Sequence, residues 1–146
     1  MNEVKLSMPE VMQAVIVGVM RQMHNIKAGN THLYGGHEDQ GWQYHIEGAM
    51  GELALAKHLG VFWGIGLKGG ADVGRHQVRT TSRTGNRLII HPDDADDERF
   101  YLVIGVNGKY QIMGWIMGRD AKDKKYWTDP TGSRPAYFVP SDDLIQ

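Results

Sequence analysis

The sequence predicts one domain of mixed α/β type, and three observations predict it. Apolar residues recur at steps of three and four from Met8 to Met23, the period of an amphipathic helix. A second stretch, from about Gln43 to Leu59, gathers small and aliphatic residues on one helical face. From Val61 the texture changes to short β-rich runs broken by glycine-rich turns. Helix, helix, then a sheet with late short helices is an α/β or α+β order.

The first helix opens at Ser7-Met8-Pro9-Glu10, a capping box with proline in the first turn. Met8, Val11, Met12, Val15, Ile16, Val19, Met20 and Met23 form its apolar side, and it ends near Ile26 to Gly29. Packing of these methionines in the core is the expectation; a partner-binding surface is the alternative. Residues Ala28 to Gly41 read as a loop rich in Gly, Asn, His and Asp. The second helix carries Ile46, Ala49, Met50, Leu53, Ala54 and Ala56 on one face, with Gly60 as its stop. Side chains that small let a helix lie close to a sheet.

Gly64 to Gly70 is glycine-rich and precedes an Asp72 hairpin with a strand through Thr81. A further strand is expected at Arg87 to His91, and a central one at the continuous apolar run Phe100 to Val106. Asn107-Gly108 is a strong hairpin signal and leads into Lys109 to Met117. Arg119 to Tyr126 reads as a short basic segment with one or two helical turns. Arg134 to Pro140 reads as extended, and Ser141-Asp142-Asp143 as the cap of a terminal turn.

Bulk properties narrow the function. With 146 residues the chain is long enough for one domain with a core. Its net charge of −1 creates no global basic field, so any phosphate-binding surface must be local. The absence of cysteine excludes a disulfide framework, a thiol nucleophile and a zinc–thiolate site, and fits a reducing cytoplasm. No basic segment followed by a long apolar run marks a secretory signal. Gln13, Arg21 and Gln22 interrupt the apolar stretch Val11 to Met23, so no membrane association is expected. The seven histidines show no zinc-type spacing. The glycines of residues 64 to 74 lack a phosphate-loop ending.

The octapeptide Asp72-Val73-Gly74-Arg75-His76-Gln77-Val78-Arg79 carries the densest chemistry. A two-residue turn at Gly74-Arg75 would pair Val73 with His76 and Asp72 with Gln77. Strand alternation then puts Asp72, Gln77 and Arg79 on one face and His76, Val78 and Thr80 on the other. A carboxylate, an amide oxygen and a fixed positive charge would stand within a few ångströms, which suits a divalent cation and a phosphate. Ordinary turn and cross-strand chemistry is the competing explanation. Upstream, Glu47 and Glu52 are about 140° apart around the second helix, so only one can face the hairpin. Glu52 is favoured because small residues surround it; the rival is a solvent-facing acid supported by Lys57 or His58.

Helix acid, hairpin acid, then Gln-Val-Arg resembles the PD-(D/E)XK nuclease superfamily, the restriction-endonuclease-like fold of Holliday junction resolvases and many phage nucleases. The segment Gly48 to Lys57 is similar to the superfamily's first helix with its glutamate. Asp72 matches the hairpin aspartate, and Gln77-Val78-Arg79 stands where the superfamily has (E/Q)-x-K. The likeness covers roughly residues 43 to 117. The stretch from Gly69 onward, with Gly114-Trp115-Ile116 and Arg134 to Pro140, looks like small phage-encoded proteins. The resemblance implies a mixed sheet flanked by the first two helices and a metal-dependent DNA endonuclease, used in phage DNA processing or recombination. It implies that Asp72, Gln77 and the Val78 carbonyl bind Mg²⁺ or Mn²⁺, with Glu52 holding a metal-bound water or a second metal. Glutamine for glutamate removes a negative charge and weakens the metal site. Arginine for lysine is the larger departure, because arginine does not give up its proton and Arg79 cannot be a general base. Arg79 could orient a phosphate or stabilise a transition state.

Thr80, Thr81 and Arg83, and Lys122, Lys124 and Lys125 beside Tyr126 and Trp127, are candidate secondary DNA contacts; a polar strand end is an equal reading of the first group, and a solvated charge run is the favoured reading of the second. Asp93 to Glu98 reads as a solvated acidic connection. Small size and near-neutral charge suggest a homodimer or a protein partner that adds DNA contact. Two rivals stand beside the nuclease. One is a catalytically degenerate nuclease-fold module that binds nucleic acid or protein. The other is a structural or host-takeover adaptor that uses the apolar first helix as an interface.

Overall fold

The computed structural model describes residues 2–29, 40–66 and 71–146. The inner part of the expected loop from Ala28 to Gly41, and Leu67 to Gly70 of the glycine-rich stretch, lie outside the described residues.

The elements run β1 (Glu3–Lys5), α1 (Met8–Ala28), α2 (Gly41–Leu59), β2 (His76–Thr81), β3 (Leu88–Ile90), β4 (Arg99–Val106), β5 (Lys109–Met117), α3 (Gly118–Ala121), β6 (Trp127–Thr128) and β7 (Ala136–Val139). Short 3₁₀ turns at Lys124–Tyr126 and Ser141–Asp143 complete the chain. The capping box forms: the Glu10 N–H donates to Ser7 Oγ at 3.3 Å, and the Ser7 N–H donates to Glu10 Oε1 at 2.7 Å. Asn107 and Gly108 both take positive φ, 54° and 91°, and join β4 to β5 as the dipeptide signalled.

Four strands make a mixed sheet in the order β1-β5-β4-β2. β4 and β5 pair antiparallel, β1 joins β5 antiparallel, and β2 runs parallel to β4 at the free edge. The crossover from β2 to β4 carries β3 and the acidic loop instead of a helix. A second sheet, β3-β7-β6, is antiparallel. β1 and β6, of three and two residues, carry too little periodicity to be read as strands, whereas β3 and β7 fall within the expected runs Arg87 to His91 and Arg134 to Pro140; their pairing into a second sheet was not expected.

Two cores result. Ala49, Leu53, Ala54 and Leu55 of α2 pack with Val17 of α1 and with Val78, Tyr101 and Val103 on one face of the main sheet. On the other face Phe100, Leu102 and Ile104 pack with Leu88, Ile90 and Val139 of the second sheet. Both long helices therefore cover one face, and a sheet covers the other.

Close backbone approach sets the helix positions. A Cβ on Gly18 would lie 2.5 Å from the Ile46 Cα, so α1 crosses α2 backbone against backbone. A Cβ on Gly51 would collide with Thr80 Oγ1, so α2 sits directly on β2. These contacts turn the small-residue face of α1 inward: Ala14, Val17, Gly18 and Gln22 are its buried residues. The large residues expected in the core, Met8, Met12, Ile16, Met20 and Met23, are exposed. The expectation failed because periodicity locates an apolar stripe but does not say which side the neighbouring helix takes.

Candidate functional site

The predicted turn forms at Gly74-Arg75, with Val73 N–H to His76 O at 3.0 Å and His76 N–H to Val73 O at 2.8 Å. Asp72 then takes a distinctive position at the free edge of β2. Its Oδ2 accepts the Val78 N–H at 2.8 Å. A strand residue presents its N–H and C=O to the same edge, so the Val78 carbonyl opens toward the side where Asp72 stands. Burial pushes the Asp72 carboxyl up to about 6, and the nearby Glu52 charge adds to this. The Val78 hydrogen bond and the charges of Arg79 and Arg21 pull the other way.

Glu52, on α2, is 6% exposed. Arg21 of α1 grips it bidentately, Nη1 to Oε2 at 2.6 Å and Nη2 to Oε1 at 2.9 Å. Arg21 Nη2 also donates to the Ile65 carbonyl at 2.6 Å, and Trp63 Nε1 donates to Glu52 Oε1 at 3.2 Å. Glu52 is thus neither solvent-facing nor supported by Lys57, which pairs instead with Glu10 at 2.8 Å. Glu47 accepts from Gln43 on its own helix.

Gln77 and Arg79 leave β2 on the opposite face. Their partners in β4, Phe100 and Leu102, belong to the core away from the helices, whereas Val78 and Tyr101 belong to the helix-side core. The amide of Gln77 donates to Glu98 at 2.8 Å. The Arg79 guanidinium stacks 5.1 Å over the Phe100 ring and reaches Asp94 Oδ1 at 2.9 Å. Asp94 also accepts the His91 N–H at 2.7 Å. The acidic connection is therefore a set of partners for the Gln-x-Arg strand as well as a solvated loop.

The four expected residues do not form one face. They bracket an edge, with Glu52 on the helix side, Gln77 and Arg79 on the other, and Asp72 at the strand margin in the field of Glu52, Arg21 and Arg79. Among the described residues, no group of three or more His, Cys, Asp or Glu side chains could hold a metal. The expected set is of another kind: two carboxylates, an amide oxygen and a backbone carbonyl. Oxygen donors of this kind suit a hard cation such as Mg²⁺, but here Gln77 leaves β2 on the opposite face from Glu52 and Arg21 holds both Glu52 oxygens.

The outlying candidates divide. Thr80 packs under Gly51. Thr81 Oγ1 accepts from the Arg83 N–H and from the Asn86 side chain. Lys122 is bound to the Asp94 carbonyl and to Asp96, while Lys124 and Lys125 are exposed, the latter over the Tyr126 ring. His76 meets Tyr101 edge-on, and burial lowers its pKa; His45 bonds Asn25 at 2.8 Å.

Sequence reasoning missed Arg21, Trp63, Asp94 and Glu98. Arg21 left one trace, a charge seven residues after Ala14 and so on the same side of α1. That trace has meaning only once the Ala14 side is known to face inward. No helix among the described residues is long and apolar enough to cross a membrane. No protein-family model, curated protein or solved structure matches this chain.

Proposed function

We propose that the chain is a metal-dependent DNA endonuclease on a restriction-endonuclease-like core, acting in DNA processing or recombination. The observation that carries the reading is the β2 edge, where the Asp72 carboxyl and the Val78 carbonyl stand together within the electrostatic field of Glu52. Asp72 and the Val78 carbonyl would hold Mg²⁺ or Mn²⁺, with Glu52 behind them on the helix side; Gln77, which leaves β2 on the opposite face toward Glu98, would stand outside this set. When bound, such a cation lowers the pKa of its water and neutralises charge on the scissile phosphate. Arg79 cannot act as a base, so its part is to orient a phosphate with a fixed charge. For that it exchanges Asp94 for the phosphate.

Supercoiled, single-stranded and four-way-junction DNA incubated with Mg²⁺ or Mn²⁺ tests this reading. Cutting that requires the metal and disappears in Asp72→Ala is the expected result. A second reading rests on the Arg21 clamp, which occupies both oxygens of Glu52. In that reading the fold binds DNA or a protein without cutting. Mn²⁺ would then give the wild type no thermal stabilisation, and every DNA substrate would stay intact.

A further inference from the structure

Neither oxygen of Glu52 is open to a cation. Arg21 covers Oε1 and Oε2 together, and Trp63 Nε1 adds a second donor to Oε1. The guanidinium is a cation already in place. A divalent ion approaching these oxygens would find their lone pairs engaged by N–H groups and would meet a like charge. Arg21 also reaches the Ile65 carbonyl at 2.6 Å. Ile65, a β-branched residue, is held there at φ 56°, in the left-handed region that such residues rarely adopt. Gly66 follows at φ 66°, and a Cβ on it would stand 2.9 Å from Arg21 Nη2. The chain thus turns around the guanidinium under backbone strain, which clusters at ligand clamps and switch regions. Arg21 also borders a cavity of about 400 Å³, lined otherwise by Met20, His24, Asn25, His45 and Gly66. The guanidinium therefore has room to swing off Glu52, and none of these residues carries a carboxylate to compete for it.

We infer that Arg21 is a gate: its guanidinium shuts Glu52 out of the cation site, and a cation gains Glu52 only when Arg21 swings away. The inference rests on the proposed site at Asp72 and the Val78 carbonyl. With the gate shut that site has the Asp72 carboxylate alone, and with it open it has Glu52 as well. The two acids belong to one neighbourhood. Gly51, beside Glu52 in the chain, packs on Thr80 of β2, and strand alternation puts Thr80 on the same face as Val78. The Glu52 charge is also felt at the Asp72 carboxyl. Opening the gate thus couples a change at Arg21 to cation affinity, and couplings of this kind amount to about 5- to 150-fold.

Calorimetric titration of the full chain with Mn²⁺ tests the gate, beside a Mg²⁺ titration in which nuclear magnetic resonance follows the Trp63 indole N–H, assigned by its loss in Trp63→Phe. Arg21→Gln is expected to bind Mn²⁺ about tenfold more tightly than the wild type. Adding Glu52→Gln or Asp72→Asn should abolish that gain; a merely structural ion pair would give no gain that depends on Asp72. Mg²⁺ should leave the Trp63 signal in place in the wild type and move it in Arg21→Gln, because only there does the ion reach the carboxylate that the indole holds. Should Arg21→Gln fail to fold, Arg21→Lys keeps the charge but loses the two-pronged grip, and a smaller gain is expected. No gain in the folded variant, a gain that survives either second change, or a Trp63 signal that Mg²⁺ moves in the wild type would overturn the gate. Wild-type binding that Asp72→Asn abolishes, with no gain from Arg21→Gln, sinks the gate and leaves the endonuclease reading standing. No wild-type binding, with a site in Arg21→Gln that needs both acids, supports the gate and sinks that reading.

Discussion

The two faces of the main sheet are built on different principles. On the far face, Phe100 and Leu102 meet Leu88, Ile90 and Val139 in an apolar core, and the polar groups of Arg79, Asp94, Gln77 and Glu98 stay at its rim. On the helix face a carboxylate is buried beside an apolar core and neutralised by one guanidinium. Replacing such a buried pair with apolar residues is often neutral or stabilising, so its presence is weak evidence for a stabilising role. The face that retains a buried charge adjoins the edge that holds Asp72.

The largest expected effect lies on the apolar face. Phe100→Ala should cost about 4 kcal/mol in urea denaturation, because it removes a fully buried ring and leaves a cavity. A loss below about 1 kcal/mol would mean that this core is loosely packed. On the helix face Arg21→Ala should cost about 3 kcal/mol by stranding Glu52, whereas the double change Arg21→Met with Glu52→Leu should recover most of that loss. A double variant as unstable as the single one would show that the pair is structural and would erase the contrast between the faces. Gly51→Ala should cost about 2 kcal/mol or more, since the added methyl collides with Thr80 and must push α2 off β2.

The smallest effect concerns pH. Asp72 has its carboxyl raised to about 6 in the folded chain, above its ordinary value of 3.8. Between these two values the folded state binds the proton more strongly than the unfolded state, so stability falls as pH rises through this window. Asp72→Asn should remove this slope and stabilise the metal-free protein at pH 7 by about 1 kcal/mol, allowing for solvent screening. Glu10 has the opposite sign. The Lys57 hydrogen bond and the Ser7 N–H lower its carboxyl to about 2, so its contribution is lost as pH falls from about 4.5 toward 2. Denaturation midpoints measured from pH 3 to 8 with chelator present would separate the two. An Asp72→Asn curve parallel to the wild type between pH 4 and 6 would refute the assignment to Asp72.

Much of the local structure was legible. The Ser7 capping box, the Gly60 stop, the Gly74-Arg75 turn and the Asn107-Gly108 hairpin all rest on short-range backbone preferences, and each forms where its residues stand. The continuous run Phe100 to Val106 is a central strand because both of its faces are covered. The candidate site was legible only in part. Glu52 was singled out over Glu47 from its small neighbours, and it is the acid that enters the protein interior. Its partner Arg21 lies 31 residues earlier, and neither spacing nor composition links the two.

Local preferences set the two long helices, the longer strands, their turns and the alternation that sends Val78 one way and Gln77 and Arg79 the other. These follow from φ/ψ preferences and side-chain period, which act over a few residues. Long-range packing decided which side of α1 is buried. Gly18 against Ile46 and Gly51 against Thr80 allow backbones to touch, and that close approach draws the small-residue face inward and leaves the methionine stripe outside. It also decided that Glu52 meets Arg21 and that Asp72 stands at a sheet edge. Those outcomes depend on how whole elements pack, and packing is fixed by surfaces far apart in the chain.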